Sequence, residues 1–243
     1  MKSKSITDIG SKRKVNQDYI YNKDDGIGLL SNLYIVADGM GGHKAGDYAS
    51  RECVNSIVGY IEEHTECYTP ISLLENAIIN ANNNINEQSN NNPELEGMGT
   101  TIVAATIVDN TMYVSNVGDS RLYLIRDDKM EQITEDHSLV EEMVKRGEIT
   151  PTDAKMHPNK NIITRALGAN KNVMVDFFEI EVDTTDKVLL CSDGLTNMVE
   201  EQEIVDVVNY TDDMEKTVKK LVQKANQYGG KDNISDVLVE IYE

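Results

Sequence analysis

The chain has 243 residues, 40% of them hydrophobic, which is typical of a globular protein with a sizeable core and excludes a disordered chain or a collagen-like fibre. Its formal net charge of −19 opposes binding to nucleic acid, because such binding depends on Lys and Arg side chains that neutralise phosphates. A nucleic-acid partner is therefore not expected.

Runs rich in β-branched and aromatic residues predict seven strands along the chain. These strands span 33–37, 101–108, 111–117, 121–125, 173–180, 187–191 and 234–241. Apolar stripes with helical spacing predict four helices. The stripes are Cys53-Ile57-Tyr60-Ile61, Ile71-Leu74-Ala77-Ile78, Ile204-Val205-Val208 and Met214-Val218-Leu221-Val222-Ala225. Together these elements predict helices that cover the faces of β-sheets.

Three segments between these elements carry further signals. The Asn-rich segment 80–92 is predicted to begin as a helix end and to finish as an exposed loop. From 136 to 168 the pieces are short, with a capping-box spacing at Ser138 and a proline after Thr150, which predicts a small helical excursion. Strands 111–117 and 121–125 lie only three residues apart, so we predict a hairpin, an antiparallel sheet and the α+β class.

The cysteines and the chain start bear on compartment. Cys53, Cys67 and Cys191 are widely spaced, so neither a disulfide framework nor a cysteine zinc site is predicted, and a reducing compartment fits best. The polar start resembles no secretion signal, and no apolar run approaches the roughly 18 residues that span a bilayer. Without a repeat or linker, we expect one domain, 1–243, that is cytoplasmic, monomeric and free of membrane spans.

Four aspartates lie beside glycines or turns at predicted strand ends. Asp38 and Asp193 each end an apolar strand and precede a glycine, Asp119 lies in the predicted hairpin turn, and Asp232 precedes the last strand. Any one of them alone is usually plain turn chemistry. If all four converge, however, their mutual repulsion requires bound cations. The sequence therefore predicts a metal site at one rim of the sheets.

The kind of metal follows from the ligand types. Oxygen-only ligands suit Mg²⁺ or Mn²⁺, whereas the four histidines lack zinc-site spacing and no EF-hand loop is present. The glycines at 39–46 follow a strand but match neither a dinucleotide-binding motif nor a P-loop. We interpret them as backbone that passes close to a metal, with Gly39 able to offer its carbonyl oxygen.

Eight short motifs follow one another in order along nearly the whole chain. They are Arg13-Lys-Val-Asn16-Gln-Asp18, Asp38-Gly-Met-Gly-Gly-His43, Gly99-Thr-Thr101, Asn116-Val-Gly-Asp-Ser-Arg121, Asp136-His-Ser138, Thr164-Arg-Ala-Leu-Gly168, Ser192-Asp-Gly-Leu195 and Gly229-Gly-Lys-Asp-Asn-Ile-Ser235. This series resembles the metal-dependent protein phosphatase family, also called type 2C phosphatases, and in particular its bacterial branch. The resemblance implies two packed antiparallel β-sheets flanked by helices on both outer faces, an α-β-β-α sandwich.

The resemblance also implies a ligand set for two Mg²⁺ or Mn²⁺ ions. The implied metal ligands are Asp18 (through water), Asp38, Gly39 (through its carbonyl), Asp119, Asp193 and Asp232. Asp38 bridges both ions, Asp193 with Asp232 holds one of them, and Asp119 with Asp193 resembles a third, weaker site. Asp38 and Asp193 are thus the catalytic carboxylates. Two such ions activate a shared water for in-line attack on phosphorus, so no phosphoenzyme is required.

Other site residues follow from the same resemblance. Arg13 resembles the phosphate-binding arginine of the family, and the alternative is a solvated member of the basic run 12–14. Animal members place a histidine directly after Asp-Gly, where this chain has Met40. His43 is therefore the candidate general acid, with a metal-bound water or a role in shaping the entrance as alternatives. Gln17 stands where many relatives have glutamate, and we expect a modest effect.

Segment 136–168 matches the bacterial flap beside the active site, and we call it the flap. It is expected to contact peptide substrates and to tune substrate choice without contributing to the chemistry. Arg121 and Arg165 are expected to brace the structure, and His137 to order the start of the flap.

The predicted function is hydrolysis of phosphoserine and phosphothreonine in proteins, opposing a Ser/Thr protein kinase. A metal-dependent phosphomonoesterase for small molecules is one alternative, because the same centre could cleave any accessible monoester. A catalytically silent regulatory domain of the same fold is another, although retention of the aspartates and Arg13 argues against it. A purely structural acidic protein is the simplest alternative.

Overall fold

Two antiparallel β-sheets form the centre of the molecule, as shown by a computed structural model that describes residues 1–42, 45–64, 69–211 and 213–242. The strands are β1 (Lys2–Asp8), β2 (Asp18–Lys23), β3 (Leu33–Met40), β4 (Gly99–Thr100), β5 (Ile102–Val108), β6 (Thr111–Val117), β7 (Arg121–Arg126), β8 (Lys129–Gln132), β9 (Asp176–Glu181), β10 (Lys187–Cys191) and β11 (Ile234–Glu240). One sheet has the order β1-β11-β10-β7-β8. The other has the order β2-β3-β5-β6-β9, with β4 paired to β3.

Helices cover the outer face of each sheet. They are α1 (Ala45–Glu63), α2 (Pro70–Asn91), α3 (Leu139–Lys145), α4 (Pro151–Met156), α5 (Asp193–Thr196), α6 (Glu201–Asn209) and α7 (Met214–Gln227), with a 3-10 turn at Pro93–Leu95. In the described part of the chain, no helix is long and apolar enough to cross a bilayer. The four predicted helical stripes lie in α1, α2, α6 and α7.

Alternation along the strands builds a core of three apolar layers. On β3, Leu33 and Ile35 pack toward α1 and α2, while Tyr34 and Val36 pack between the two sheets. On the other sheet, β10 divides its side chains between the inter-sheet layer and a third layer under α6 and α7. Strands that are buried on both faces are near-continuous apolar runs in the sequence. The α-β-β-α sandwich and the α+β class are therefore confirmed.

The predicted hairpin of 111–117 and 121–125 is wrong. Strand β6 pairs with β5 and β9, whereas β7 pairs with β10 and β8 in the other sheet. Residues 118–120 instead carry the chain from one sheet to the next. Packed sheets lie about 10 Å apart and three extended residues span about that distance, so connection length alone did not separate the two cases. Gly118 has a φ of 113°, and a Cβ there would collide with Thr101.

The predicted loop at the end of the Asn-rich segment is also wrong, because α2 continues to Asn91. Ala81 and Ile85 extend the buried stripe of this helix. Asn82 is buried on the same face, where its Nδ2 donates to the carbonyls of Asn170 (3.1 Å) and Lys171 (3.0 Å). Asparagines in this segment therefore fix the chain that follows the flap.

The flap contains the two short helices that its capping signals predicted. Ser138 accepts a hydrogen bond from the backbone N–H of Glu141 at the start of α3. Thr150 and Asp153 form a reciprocal capping box at the start of α4. A β-bridge between Ser138 and Ile163 closes the base of the flap.

Candidate metal centre

Asp38 lies near the end of β3, at the rim where this strand leaves the core. Its backbone is fixed from both sides, because its N–H donates to Thr101 Oγ1 (3.0 Å) and its carbonyl accepts from the N–H of Thr101 (2.8 Å). Gly39 follows, and a Cβ there would collide with the Gly46 carbonyl oxygen. Only glycine therefore fits this close approach between β3 and the start of α1.

Asp119 reaches the same rim on the crossing between the sheets. The preceding Gly118 donates its N–H to His137 Nδ1 (2.9 Å) and accepts from the backbone N–H of His137 (2.9 Å). The Nε2 of His137 lies 3.0 Å from Asp176 Oδ2. Because Nδ1 accepts from Gly118, Nε2 carries the proton and donates to Asp176. His137 therefore anchors the crossing that carries Asp119 as well as the start of the flap.

Asp193 and Asp232 come from the other sheet. Asp193 follows β10 as the first residue of α5, and its Oδ2 accepts from Asn197 Nδ2 (2.8 Å). Asp232 lies just before β11, where its Oδ1 accepts from the N–H of Asn233 (2.8 Å). Its Oδ2 accepts from Arg13 NH2 at 2.7 Å.

Asn233 joins the loop of Arg13 to the loop of Asp232. Its Nδ2 donates to the carbonyls of Ile9 (2.9 Å) and Val15 (3.1 Å), and its Oδ1 accepts from the N–H of Gln17 (2.9 Å). Residues from the two ends of the chain are thereby held side by side.

These elements surround one cavity of about 270 Å³. Six of the predicted site residues line it, namely Arg13, Asp38, Gly39, Asp119, Asp193 and Asp232. Asp18 does not line the cavity but pairs in register with Asp38 across the sheet, and its side chain is only 4% exposed. Its Oδ2 accepts from Ser192 Oγ (2.8 Å). His43, the candidate general acid, lies outside the described residues.

Burial and mutual repulsion raise the pKa values of these carboxyl groups. Burial, opposed by hydrogen bonds and reinforced by Asp193 and Asp232, raises the pKa of Asp18 to about 7. Burial and then Asp193 raise the pKa of Asp119 to about 8, and burial and then Asp232 raise that of Asp193 to about 6. Desolvation, followed by repulsion from the other four aspartates, places the pKa of Asp38 well above its ordinary value. The cluster therefore favours bound positive charge.

The residues fit hydrated divalent cations. Asp18 Oδ1 and Asp193 Oδ1 are buried without a hydrogen-bond partner among the residues that the structure describes. Across the same residues, no three His, Cys, Asp or Glu side chains approach closely enough to enclose a metal ion by themselves. The carboxylates instead surround a cavity with room for ions that keep several waters, as Mg²⁺ and Mn²⁺ do. The described residues that line the cavity include neither His nor Cys, the usual zinc ligands.

Several residues of the site were not assigned a role from sequence. The flap contributes Asn161 and Ile163 to the cavity wall, and no local signal indicates them. Thr101 and Asn233 belong to the motifs quoted above, and the structure gives them positioning roles through hydrogen bonds to the backbone beside the aspartates. Contacts that depend on distant segments are therefore the main part that sequence reasoning missed.

A second cavity of about 570 Å³ lies under the flap and shares Asp119 and Asp193 with the first. One of its walls is the ion pair between Arg121 and Asp136, with NH2 to Oδ2 at 2.6 Å. Arg165 pairs with Asp176 in the same way, with NH1 to Oδ1 at 2.6 Å. Both arginines brace the base of the flap, as expected from their positions in the motifs.

Comparisons with known proteins agree in sequence and in structure. The model of a family described as "Protein phosphatase 2C" matches residues 10–239. The chain is 44% identical over 228 residues to the serine/threonine phosphatase stp of Listeria innocua, covering 90% of each chain. It is also similar to the crystal structure of the serine/threonine phosphatase Stp1 from Staphylococcus aureus, with a TM-score of 0.92, 35% identity and coverage of 99% of this chain and 95% of that one.

A further similar structure was solved with metal. It is the catalytic domain of the serine/threonine protein phosphatase PstP in complex with two manganese ions. The TM-score is 0.87 at 31% identity, and the match covers 100% of this chain and 98% of that one. The similarity thus extends over almost the whole chain.

Proposed function

The chain belongs to the protein phosphatase 2C family of metal-dependent serine/threonine phosphatases, and from this premise we propose that it hydrolyses phosphoserine and phosphothreonine in proteins with water as the nucleophile. The observation that carries the proposal is the meeting of four carboxylates and Arg13 on one cavity. Carboxylates from both sheets could hold cations there, and the arginine could hold an anion.

The metal site is proposed to take two Mn²⁺ or Mg²⁺ ions. Asp38 would bridge them, the Gly39 carbonyl would serve one, and Asp193 with Asp232 would serve the other. Asp18 would act through a water molecule, which agrees with its burial beside Asp38 and its place outside the cavity lining. A third, weaker site would use Asp119 together with Asp193. When bound, such ions supply Lewis-acid activation of the nucleophilic water and neutralise charge on the phosphoryl oxygens.

The chain itself would orient the substrate. Arg13 is proposed to bind the phosphoryl oxygens with its planar guanidinium, which can donate two parallel hydrogen bonds. Asn161 and Ile163 of the flap would contact the residue that carries the phosphate, since they line the same cavity. His43 stays the candidate donor of a proton to the departing alkoxide. Residues 1–243 would act as one catalytic domain of which the flap is part.

The biological setting is proposed on chemical grounds. The substrates of such an enzyme are the products of a Ser/Thr protein kinase, so a kinase of that class would be its functional opponent. Cys53 and Cys191 are buried free thiols, which fits a reducing compartment such as the cytoplasm. A monomer remains the expected state.

Phosphate release from peptides tests the proposed function. The purified chain with Mn²⁺ should release phosphate from phosphothreonine and phosphoserine peptides, and a chelator should abolish the release. Asp193→Asn should lower the rate by more than about 10-fold, because even residues that only support metal ligands typically contribute that much. Absence of turnover on every phosphopeptide with either metal would refute the proposal. Faster turnover of small phosphate monoesters would favour the phosphomonoesterase alternative.

A further inference from the structure

Arg13 and Asp232 contact each other directly at the wall of the cavity. Arg13 NH2 donates to Asp232 Oδ2 at 2.7 Å, and the other oxygen, Oδ1, accepts from the N–H of Asn233. Both carboxylate oxygens of Asp232 therefore already have a donor. Among the described residues, no other carboxylate of the cavity forms an ion pair with a basic side chain.

The contact conflicts with the two proposed roles. As a metal ligand, Asp232 has to offer an oxygen to a cation, and Arg13 NH2 lies 2.7 Å from Oδ2. As a phosphate-binding group, Arg13 needs its guanidinium donors for the phosphoryl oxygens. A divalent cation and a guanidinium on the same oxygen also repel each other, because both are positive.

We propose that Asp232 exchanges Arg13 for a divalent metal ion, so that metal binding releases Arg13 to bind the phosphoryl group of the substrate. This inference rests on the proposed function. By thermodynamic linkage, the coupling is reciprocal: an anion that draws Arg13 away from Asp232 should strengthen metal binding by the same factor. Metal and phosphate would then each bind more tightly in the presence of the other, so a metal-poor enzyme would bind phosphate weakly.

The structure makes this exchange a movement of one side chain. The backbone around Arg13 is held in place, because the N–H groups of Ser11 and Lys12 donate to the Gly230 carbonyl at 2.9 and 3.1 Å. The side chains of Arg13 and Asp232 are 49% and 29% exposed, and ion pairs with such exposure contribute little to stability. The guanidinium can therefore leave the carboxylate without a change in the fold.

Calorimetric titration with Mn²⁺ tests the exchange without relying on catalysis. Arg13→Ala should bind Mn²⁺ about two- to five-fold more tightly than the wild type, because this is the factor that corresponds to the free energy of an exposed ion pair. Lys14→Ala is the matched control. It removes the same charge at the next position along the chain, and the Lys14 side chain has no ion-pair partner among the described residues. Its change should be smaller. Arg13→Lys should fall between Arg13→Ala and the wild type.

A second titration measures the coupling itself. In the wild type, Mn²⁺ should increase the affinity for inorganic phosphate more than it does in Arg13→Ala, where only direct contact between metal and phosphate remains. Equal Mn²⁺ affinities of Arg13→Ala and Lys14→Ala, or weaker binding by Arg13→Ala, would overturn the exchange. A wild-type protein that binds Mn²⁺ and cleaves phosphopeptides while failing this test would leave the proposed function intact. A wild type that binds no Mn²⁺ would refute both.

Discussion

Two regions of this molecule contain buried carboxylates with oxygens that have no hydrogen-bond partner among the described residues. They differ in their neighbouring residues and in their access to a cavity. In the candidate metal centre, Asp18 and Asp193 each have one such oxygen. Asp193 lines the open cavity with three further carboxylates, and Asp18 pairs in register with one of these, Asp38. Asp236 lies in the middle of β11, fully buried, and neither of its oxygens has a partner within the described ranges. Burial alone raises the pKa of Asp236 well above its ordinary value.

Asp236 differs from the aspartates of the metal centre in its surroundings, which are apolar. On the same face of β11, Ile234 and Leu238 belong to the apolar layer under α6 and α7, and the residues paired with Asp236 are Ile6 and Cys191. Asp236 lines neither cavity. An orphaned carboxylate is therefore not by itself a sign of function. Convergence of several carboxylates on space that a ligand can enter is the stronger sign.

The largest expected effect comes from the metal centre. Asp38→Asn should lower phosphatase activity with Mn²⁺ by at least about 100-fold, because the ions supply several kcal/mol of catalysis and each 1.4 kcal/mol is a factor of ten. The metal-free protein should melt at the same or a higher temperature, since the substitution removes repulsion among the aspartates. Phosphopeptide kinetics and a melting curve measure both. A fully active variant would contradict the assignment, whatever its melting temperature.

At Asp236, a substitution should change stability and not activity. Asp236→Val should stabilise the protein by about 1–3 kcal/mol, the usual cost of a buried polar group without a partner, and should leave activity unchanged. Urea unfolding at pH 8 measures this difference. Asp236→Asn, which removes the charge but keeps the polar group, should give a smaller gain. Loss of stability in Asp236→Val would show that the carboxyl has a role in the fold.

The pH dependence of stability and of Mn²⁺ binding distinguishes the metal centre from Asp236 within one protein. A carboxyl group with a raised folded pKa stabilises below its unfolded value, near 3.8, and this contribution is lost as pH rises through the folded value. With values of about 6, 7 and 8 for Asp193, Asp18 and Asp119, the metal-free protein should lose stability from about pH 4, near the unfolded pKa, to about pH 9, just above the highest folded pKa. Mn²⁺ should bind more tightly across the same range, because the ligands lose their protons.

Melting curves with and without Mn²⁺ at pH 6 and pH 8 check this prediction. Mn²⁺ should raise the melting temperature more at pH 8 than at pH 6. In Asp236→Val this difference should persist, since Asp236 does not belong to the cavity. An equal effect of Mn²⁺ at both pH values would mean that the carboxyl groups are not protonated in the metal-free protein.

The sequence predicts the buried part of the fold better than its edges. Strands β6 and β10 have the predicted bounds, because apolar side chains on both faces make them distinct. Four of the described strands were not indicated by the sequence: β1, β2 and β8 lie at sheet edges, and the two-residue β4 pairs only with β3. Edge strands bury less of their surface and carry more charged and polar residues, so they lack the apolar runs that identify the central strands. The crossing at 118–120 was missed because its length also suits a hairpin.

In the site, some residues carry a local signal in the sequence, whereas other features depend on contacts between distant segments. Asp38 and Asp193 could be singled out because each follows an apolar strand, and a strand end places its residue at the rim of a sheet. Asp236 carried no such signal within its strand. The pair of Arg13 and Asp232 joins residues 219 positions apart, so resemblance could suggest their roles but not their contact. Packing of the whole chain, rather than any local pattern, determines that contact.

The smallest expected effect concerns Gln17, which lines the cavity and whose Nε2 donates to the Gly41 carbonyl at 3.4 Å. Gln17→Glu adds one carboxylate to the cluster and should tighten Mn²⁺ binding by about two- to five-fold, the range for one additional charge interaction near the surface. Gln202→Glu, on the exposed face of α6, adds the same charge away from the cavity and should change the affinity less. If both variants bind Mn²⁺ equally, total charge rather than position in the cavity controls the affinity, and the distinction between the metal centre and other acidic surfaces would be lost.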